Sequence, residues 1–110
     1  MKPLRFVGSA REDLSDFPDQ VRTRAGYELF MVQVGREPND WKPMSSVGPG
    51  AAEIRIRDGA GAYRVIYVAR FDEAVYVLHA FQRKTQRTTQ KDLGLAALRY
   101  RQVMALARKE

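Results

Sequence analysis

Along the chain the spacing of hydrophobic positions changes twice, and each spacing predicts a different element. Val21, Ala25, Leu29 and Val32 recur at helical intervals, with Arg22, Arg24 and Glu28 between them, which predicts a helix over 18–34. Pro18 suits its first turn and Gly35 its end, while Gly26 weakens it by about 1 kcal/mol relative to alanine. Ahead of it, Leu4–Val7 reads as a short strand closed by Gly8-Ser9, and Ser9 or Ser15 can cap a helical segment. From Glu53 the period falls to two: Glu53-Ile54-Arg55-Ile56-Arg57 alternates polar and apolar, as a half-buried strand does. Tyr63–Phe71 is rich in β-branched and aromatic residues and predicts a strand near the sheet centre; Val75–Gln82 predicts its return. The turns at Asp58–Gly61 and Asp72-Glu73 are short, so the three strands form an antiparallel meander. Helical spacing returns at the end, where Leu93, Ala96, Ala97, Tyr100, Val103, Met104 and Ala107 make one stripe, interrupted by Gly94. Thr89 and Asp92, three residues apart, form a capping box at its start.

Residues 35–50 carry three prolines and three glycines and read as a loop, pinned to the core by Trp41. The order of elements predicts an α+β fold: an antiparallel sheet with N-terminal helices and a C-terminal helix packed on it. A chain of 110 residues suits one domain over 1–110.

Composition narrows the chemistry. The sequence has no cysteine and one histidine, which excludes a disulfide scaffold, zinc–thiolate sites and cysteine nucleophiles. No acidic pair stands at ligand spacing, so neither a metal nor another cofactor is expected. A serine triad would need His79, and no nucleophile elbow accompanies it. No apolar run approaches the roughly 20 residues of a membrane span, and Met1–Val7 is too short and too quickly polar for a signal peptide. The expectation is a soluble, cytoplasmic domain without a membrane partner.

Charge sharpens that expectation. The net charge of +6 is uneven: residues 1–40 hold six bases and seven acids, and residues 41–110 hold 13 bases and six acids. All the excess lies in the second part, where it favours a polyanion, nucleic acid first. Arg55 and Arg57 share a strand face with Glu53; Arg64 and Arg70 share one on the next strand. Arg83, Lys84, Arg87 and Lys91 follow the last strand, with no acid between Glu73 and Asp92. Across a meander these cations can converge on one surface suited to a phosphate backbone or a developing phosphorane; ordinary solvated charge is the competing reading. Alternation puts His79 on the face of Val77 and Phe81, where a hydrogen-bonded core histidine competes with an acid–base role. Tyr63, Tyr67, Tyr76 and Tyr100 read as packing residues.

Three segments, Glu53-Ile54-Arg55, Gly61–Tyr67 and Val77–Gln86 with its His79-Ala80-Phe81-Gln82-Arg83-Lys84-Thr85 block, resemble the RelE/HigB toxin superfamily, closest to its phage-derived HigB-like branch. Asp13–Pro18 and Trp41–Met44 are similar to that branch too. The resemblance implies a microbial-RNase-like fold and a toxin of a type II toxin–antitoxin pair, an mRNA endonuclease that acts on the ribosome without a metal. It implies a cognate antitoxin, often a helix-turn-helix protein. Arg64 matches the family's phosphate-stabilising arginine, Arg83 or Lys84 its second cation, and Arg55 a position often held by lysine. Glu53 departs from the pattern at another lysine position, and the late tyrosine of some relatives falls near Thr89. Arginine does not readily give up a proton, so Glu53, Lys84 or His79 is left as the acid or base, with Arg55, Arg57, Arg70, Arg87 and Lys91 as RNA contacts. Two other readings stand beside this one: a non-catalytic ParE-like inhibitor of DNA gyrase, and an inactive phage-derived nucleic-acid-binding protein.

Overall fold

The alternating segments pair into a meander of β3 (Ala51–Asp58), β4 (Gly61–Val68) and β5 (Val75–Arg83), flanked by edge strands β1 (Leu4–Phe6) and β2 (Trp41–Pro43) in the order β1-β5-β4-β3-β2. The computed structural model describes residues 1–59, 61–84 and 87–109, with 108 and 109 described by their backbone alone. Ala60 of the β3–β4 turn, and Thr85 and Gln86 of the segment that carries the family resemblance, lie outside the described residues. The helices are α1 (Ala10–Ser15), α2 (Asp19–Gln33) and α3 (Gln90–Lys109).

Period-two alternation sorts the strand residues onto two faces. Ile54, Ile56, Val65 and Val77 pack with Val21, Ala25 and Leu29 of α2 on one face. Ile66, Val68 and Leu78 pack with Ala96, Tyr100 and Val103 of α3 on the other. β4 lies at the centre of the sheet and its last six residues are buried. Gly35, at φ +85°, ends α2 where a side chain would be strained. Thr89 caps α3: Asp92 N donates to Thr89 Oγ1 at 3.2 Å, and the Thr89 hydroxyl donates to the Asp92 carboxylate at 2.7 Å, a side-chain bond in place of the backbone half of a capping box.

The sheet departs from the sequence reading in three ways. Residues 35–50 are not all loop, because Trp41, Lys42 and Pro43 pair with Ile54, Glu53 and Ala52; Pro43 is tolerated since β2 is an edge strand. The sheet is not wholly antiparallel, because β1 pairs parallel to β5. The β4–β5 register shifts between Ile66 and Tyr67: Ile66 faces His79 and Tyr67 faces Val77, so Leu78 is an extra, bulged residue. Strict alternation would keep His79 beside Val77. The bulge instead turns both Leu78 and His79 toward α3, and Arg99 of α3 donates to the Leu78 carbonyl at 2.9 Å.

Candidate active site

α3 covers the Ile66–Val68 end of its sheet face and leaves the other end open. There the strand registers bring charges together: Arg55 stands directly opposite Arg64, Glu53 lies two residues before Arg55, and Lys42 stands opposite Glu53. Arg83 pairs with Ala62, two residues from Arg64. The result is a cleft of about 370 Å³, lined by Lys42, Glu53, Arg55, Arg64, Arg83 and Arg87, with Ser45, Ser46 and Thr88 at its walls.

Five cations share this cleft with one carboxylate. Glu53 is completely buried and Arg64 is 2% exposed. Glu53 Oε1 lies 3.3 Å from Arg64 Nε and 3.9 Å from Arg55 Nε, and Glu53 Oε2 accepts a 2.8 Å hydrogen bond from Thr88 Oγ1. Like charges facing each other across strands repel, and the carboxylate between Arg55 and Arg64 offsets that repulsion. Burial pulls the Arg64 guanidinium below its ordinary value; Glu53 opposes the shift, and Arg83 and Arg55 reinforce it. A guanidinium nonetheless stays protonated at neutral pH, so Arg64 is a fixed positive charge with its Nη1 donating to the Tyr63 carbonyl at 3.3 Å.

The second wall comes from the residues after β2. Tyr100 of α3 donates to the Pro49 carbonyl at 2.6 Å and accepts from Arg70 Nη1 at 3.2 Å. Gly48 lies so close to the Tyr100 ring that a Cβ there would sit 2.5 Å from it. These contacts hold the segment that carries Ser45 and Ser46.

Of the residues selected from sequence, Glu53, Arg55, Arg64, Arg83 and Arg87 line the cleft, while Arg57, Arg70, Lys84, Lys91 and His79 do not. Arg57 and Lys84 are exposed outside it. Arg70 stacks on Phe71 at 5.5 Å and serves the Tyr100 anchor. His79 and Lys91 line a separate pocket. The His79 ring stacks on Phe81 at 4.7 Å, and its Nε2 meets Asp92 Oδ1 at 2.8 Å, so it fastens the start of α3 to β5. Tyr63, Tyr67 and Tyr100 are buried packing residues. Sequence reasoning did not select Lys42, Ser45, Ser46 or Thr88. The signal for Lys42 was its position in Trp41-Lys42-Pro43, visible only once that segment pairs with β3.

Known proteins agree with this architecture. An arginine-to-alanine double mutant of E. coli toxin RelE in the free state superposes with a TM-score of 0.64 at 18% identity, covering 90% of this chain and 96% of that one. The fold is therefore RelE-like. A comparison with curated proteins finds no match. The Phage derived protein Gp49-like (DUF891) family matches residues 12–101, most of the chain and all the strands that build the cleft, and the protein belongs to that family.

Proposed function

We propose that the domain over residues 1–110 is the toxin of a type II toxin–antitoxin pair and cuts mRNA on the ribosome. One observation carries the reading: arginines from β3, β4 and β5 converge on a single cleft, where a buried carboxylate faces those of β3 and β4. Focused, preoriented cations suit the charge that develops on phosphoryl oxygens during RNA cleavage. A protein that only blocks its target by surface contact has no need of cations focused in one cleft.

In this reading the ribose 2′-hydroxyl attacks the adjacent phosphorus, the bond to the 5′-oxygen breaks, and a 2′,3′-cyclic phosphate and a 5′-hydroxyl result. Arg64 and Arg83 stabilise the equatorial oxygens, and Arg55 and Arg87 hold the flanking backbone. Glu53 is not the base. Its oxygens face Arg64, Arg55 and Thr88, so its role is to position the guanidinium groups.

The substrate acts in translation, so the site of action is the cytoplasm; no helix among the described residues is long and apolar enough to cross a membrane. A cognate antitoxin, a helix-turn-helix protein by the family resemblance, completes the pair. The test is induction of this chain alone, followed by mapping of transcript ends. Growth arrest with cuts inside translated messages is expected from the natural chain and not from Arg83→Ala. Arrest with intact messages and stalled replication would favour inhibition of DNA gyrase instead.

A further inference from the structure

The cleft as described stabilises charge and lacks an assigned proton donor. We infer that Lys42 is that donor: its ammonium protonates the departing 5′-oxygen. The inference rests on the nuclease reading and identifies one catalytic group within it.

Elimination among the described lining residues leads there. Arginine does not release its proton readily, which removes Arg55, Arg64, Arg83 and Arg87. Glu53 is buried and committed to Arg64 and Thr88, Thr88 spends its hydroxyl proton on Glu53, and the neutral hydroxyls of Ser45 and Ser46 are far weaker acids than an ammonium. His79 bonds Asp92 in a different pocket, and Lys84 lies outside the cleft. No tyrosine lines the cleft. Lys42 does line it, and its ammonium makes no hydrogen bond or ion pair with any described residue. Its register opposite Glu53 places it on the same sheet face as Arg55, beside the carboxylate that orients the arginines.

An ammonium on a flexible stem is a compact donor that can hand over a proton and recover it from water. The 2′-oxygen loses its proton to water and forms a bond to phosphorus. The bond from phosphorus to the 5′-oxygen breaks, and its electron pair takes the proton from Lys42 Nζ. The resulting amine regains a proton from water.

The test is single-turnover cleavage of a message bound to programmed ribosomes, with saturating protein. Two messages are used, one natural and one with sulfur in place of the 5′-bridging oxygen at the cut. A thiolate departs without a proton, so its release does not need the acid. Lys42→Met and Lys42→Arg are each expected to slow cleavage of the natural message by about 100-fold or more and to cut the sulfur message at the rate of the unaltered protein. Lys42 is exposed on an edge strand, so both variants should keep the circular dichroism and melting of the parent. Equal slowing on both messages, or restoration of the natural reaction by arginine, would show that Lys42 supplies charge alone and overturn the inference. Unimpaired cleavage of the natural message by both variants would overturn it too. Failure of the unaltered protein to cut either message would instead remove the nuclease reading beneath it.

Discussion

Thr88 donates a 2.8 Å hydrogen bond to Glu53, a completely buried carboxylate on β3. The next residue, Thr89, donates to Asp92, which in turn holds His79 on β5. Two adjacent threonines thus fasten the end of the basic segment to two different strands, one through the cleft floor and one through the start of α3. Arg87, the residue before Thr88, lines the cleft, so this anchorage sets where its charge sits. Thr88→Val should leave Glu53 Oε2 buried without its partner and cost about 1–3 kcal/mol in denaturant unfolding. Cleavage should fall by about 10- to 100-fold as Arg87 loses its placement. Unchanged cleavage in a destabilised variant would separate the anchor from the chemistry.

Glu53 is the keystone of the charge cluster. Glu53→Gln removes the one carboxylate that faces Arg64 and Arg55. Breaking a buried pair in this way costs about 3–5 kcal/mol, whereas replacing both members by apolar residues is often neutral. Glu53→Leu combined with Arg64→Met should therefore regain the stability lost by Glu53→Gln while remaining inactive. Urea unfolding of the three proteins, with cleavage measured alongside, checks both halves.

The same burial changes how Arg64 can be tested. Arg64→Ala strands Glu53 without its closest counter-ion, so loss of toxicity in that variant would mix unfolding with chemistry. Arg83 is half-buried at the cleft margin, and its removal leaves the Glu53–Arg64 pair intact. Arg83→Ala should lower cleavage by about 100- to 1,000-fold with a melting temperature near that of the parent. A large fall in melting temperature would show that Arg83 is structural.

These relationships mark how far the sequence could be read. Glu53, Arg55 and Arg64 were legible because strict alternation put them on one face of adjoining strands, and the family resemblance singled out the last two. Arg83 followed as the exit of the third strand. Lys42 was hidden by three prolines and three glycines in residues 35–50, which mask a strand of three residues whose pairing depends on its partner. His79 stacks on Phe81 and is hydrogen-bonded, as one sequence reading has it; its parting from Val77 was not legible, because a bulge has no signature in Val77-Leu78-His79 and shows only in the register against Ile66 and Tyr67. Arg70 and Arg64 do share a face, but they lie at opposite ends of it, and spacing along one strand does not say which end α3 covers.

Tyr67 gives a prediction about the fold independent of the cleft. Burial foremost, with Glu37 and Glu28 adding to it, pushes its phenol up to about 12 from an ordinary 10.0. The folded state therefore keeps its proton where the unfolded chain loses it. Stability is full below the unfolded value and falls as pH rises through about 10 to about 12, by about 2–3 kcal/mol in total. Melting curves across this range should slope less steeply for Tyr67→Phe than for the parent. Parallel slopes would place the alkaline loss elsewhere.

If the arginine cleft cuts RNA presented by the ribosome, a reconstituted reaction of purified protein with ribosomes carrying an end-labelled message shows it. The expected result is a cut within the codon in the A site, a 2′,3′-cyclic phosphate on the upstream fragment, and no cut with Arg83→Ala. An intact message under saturating, folded protein would contradict it.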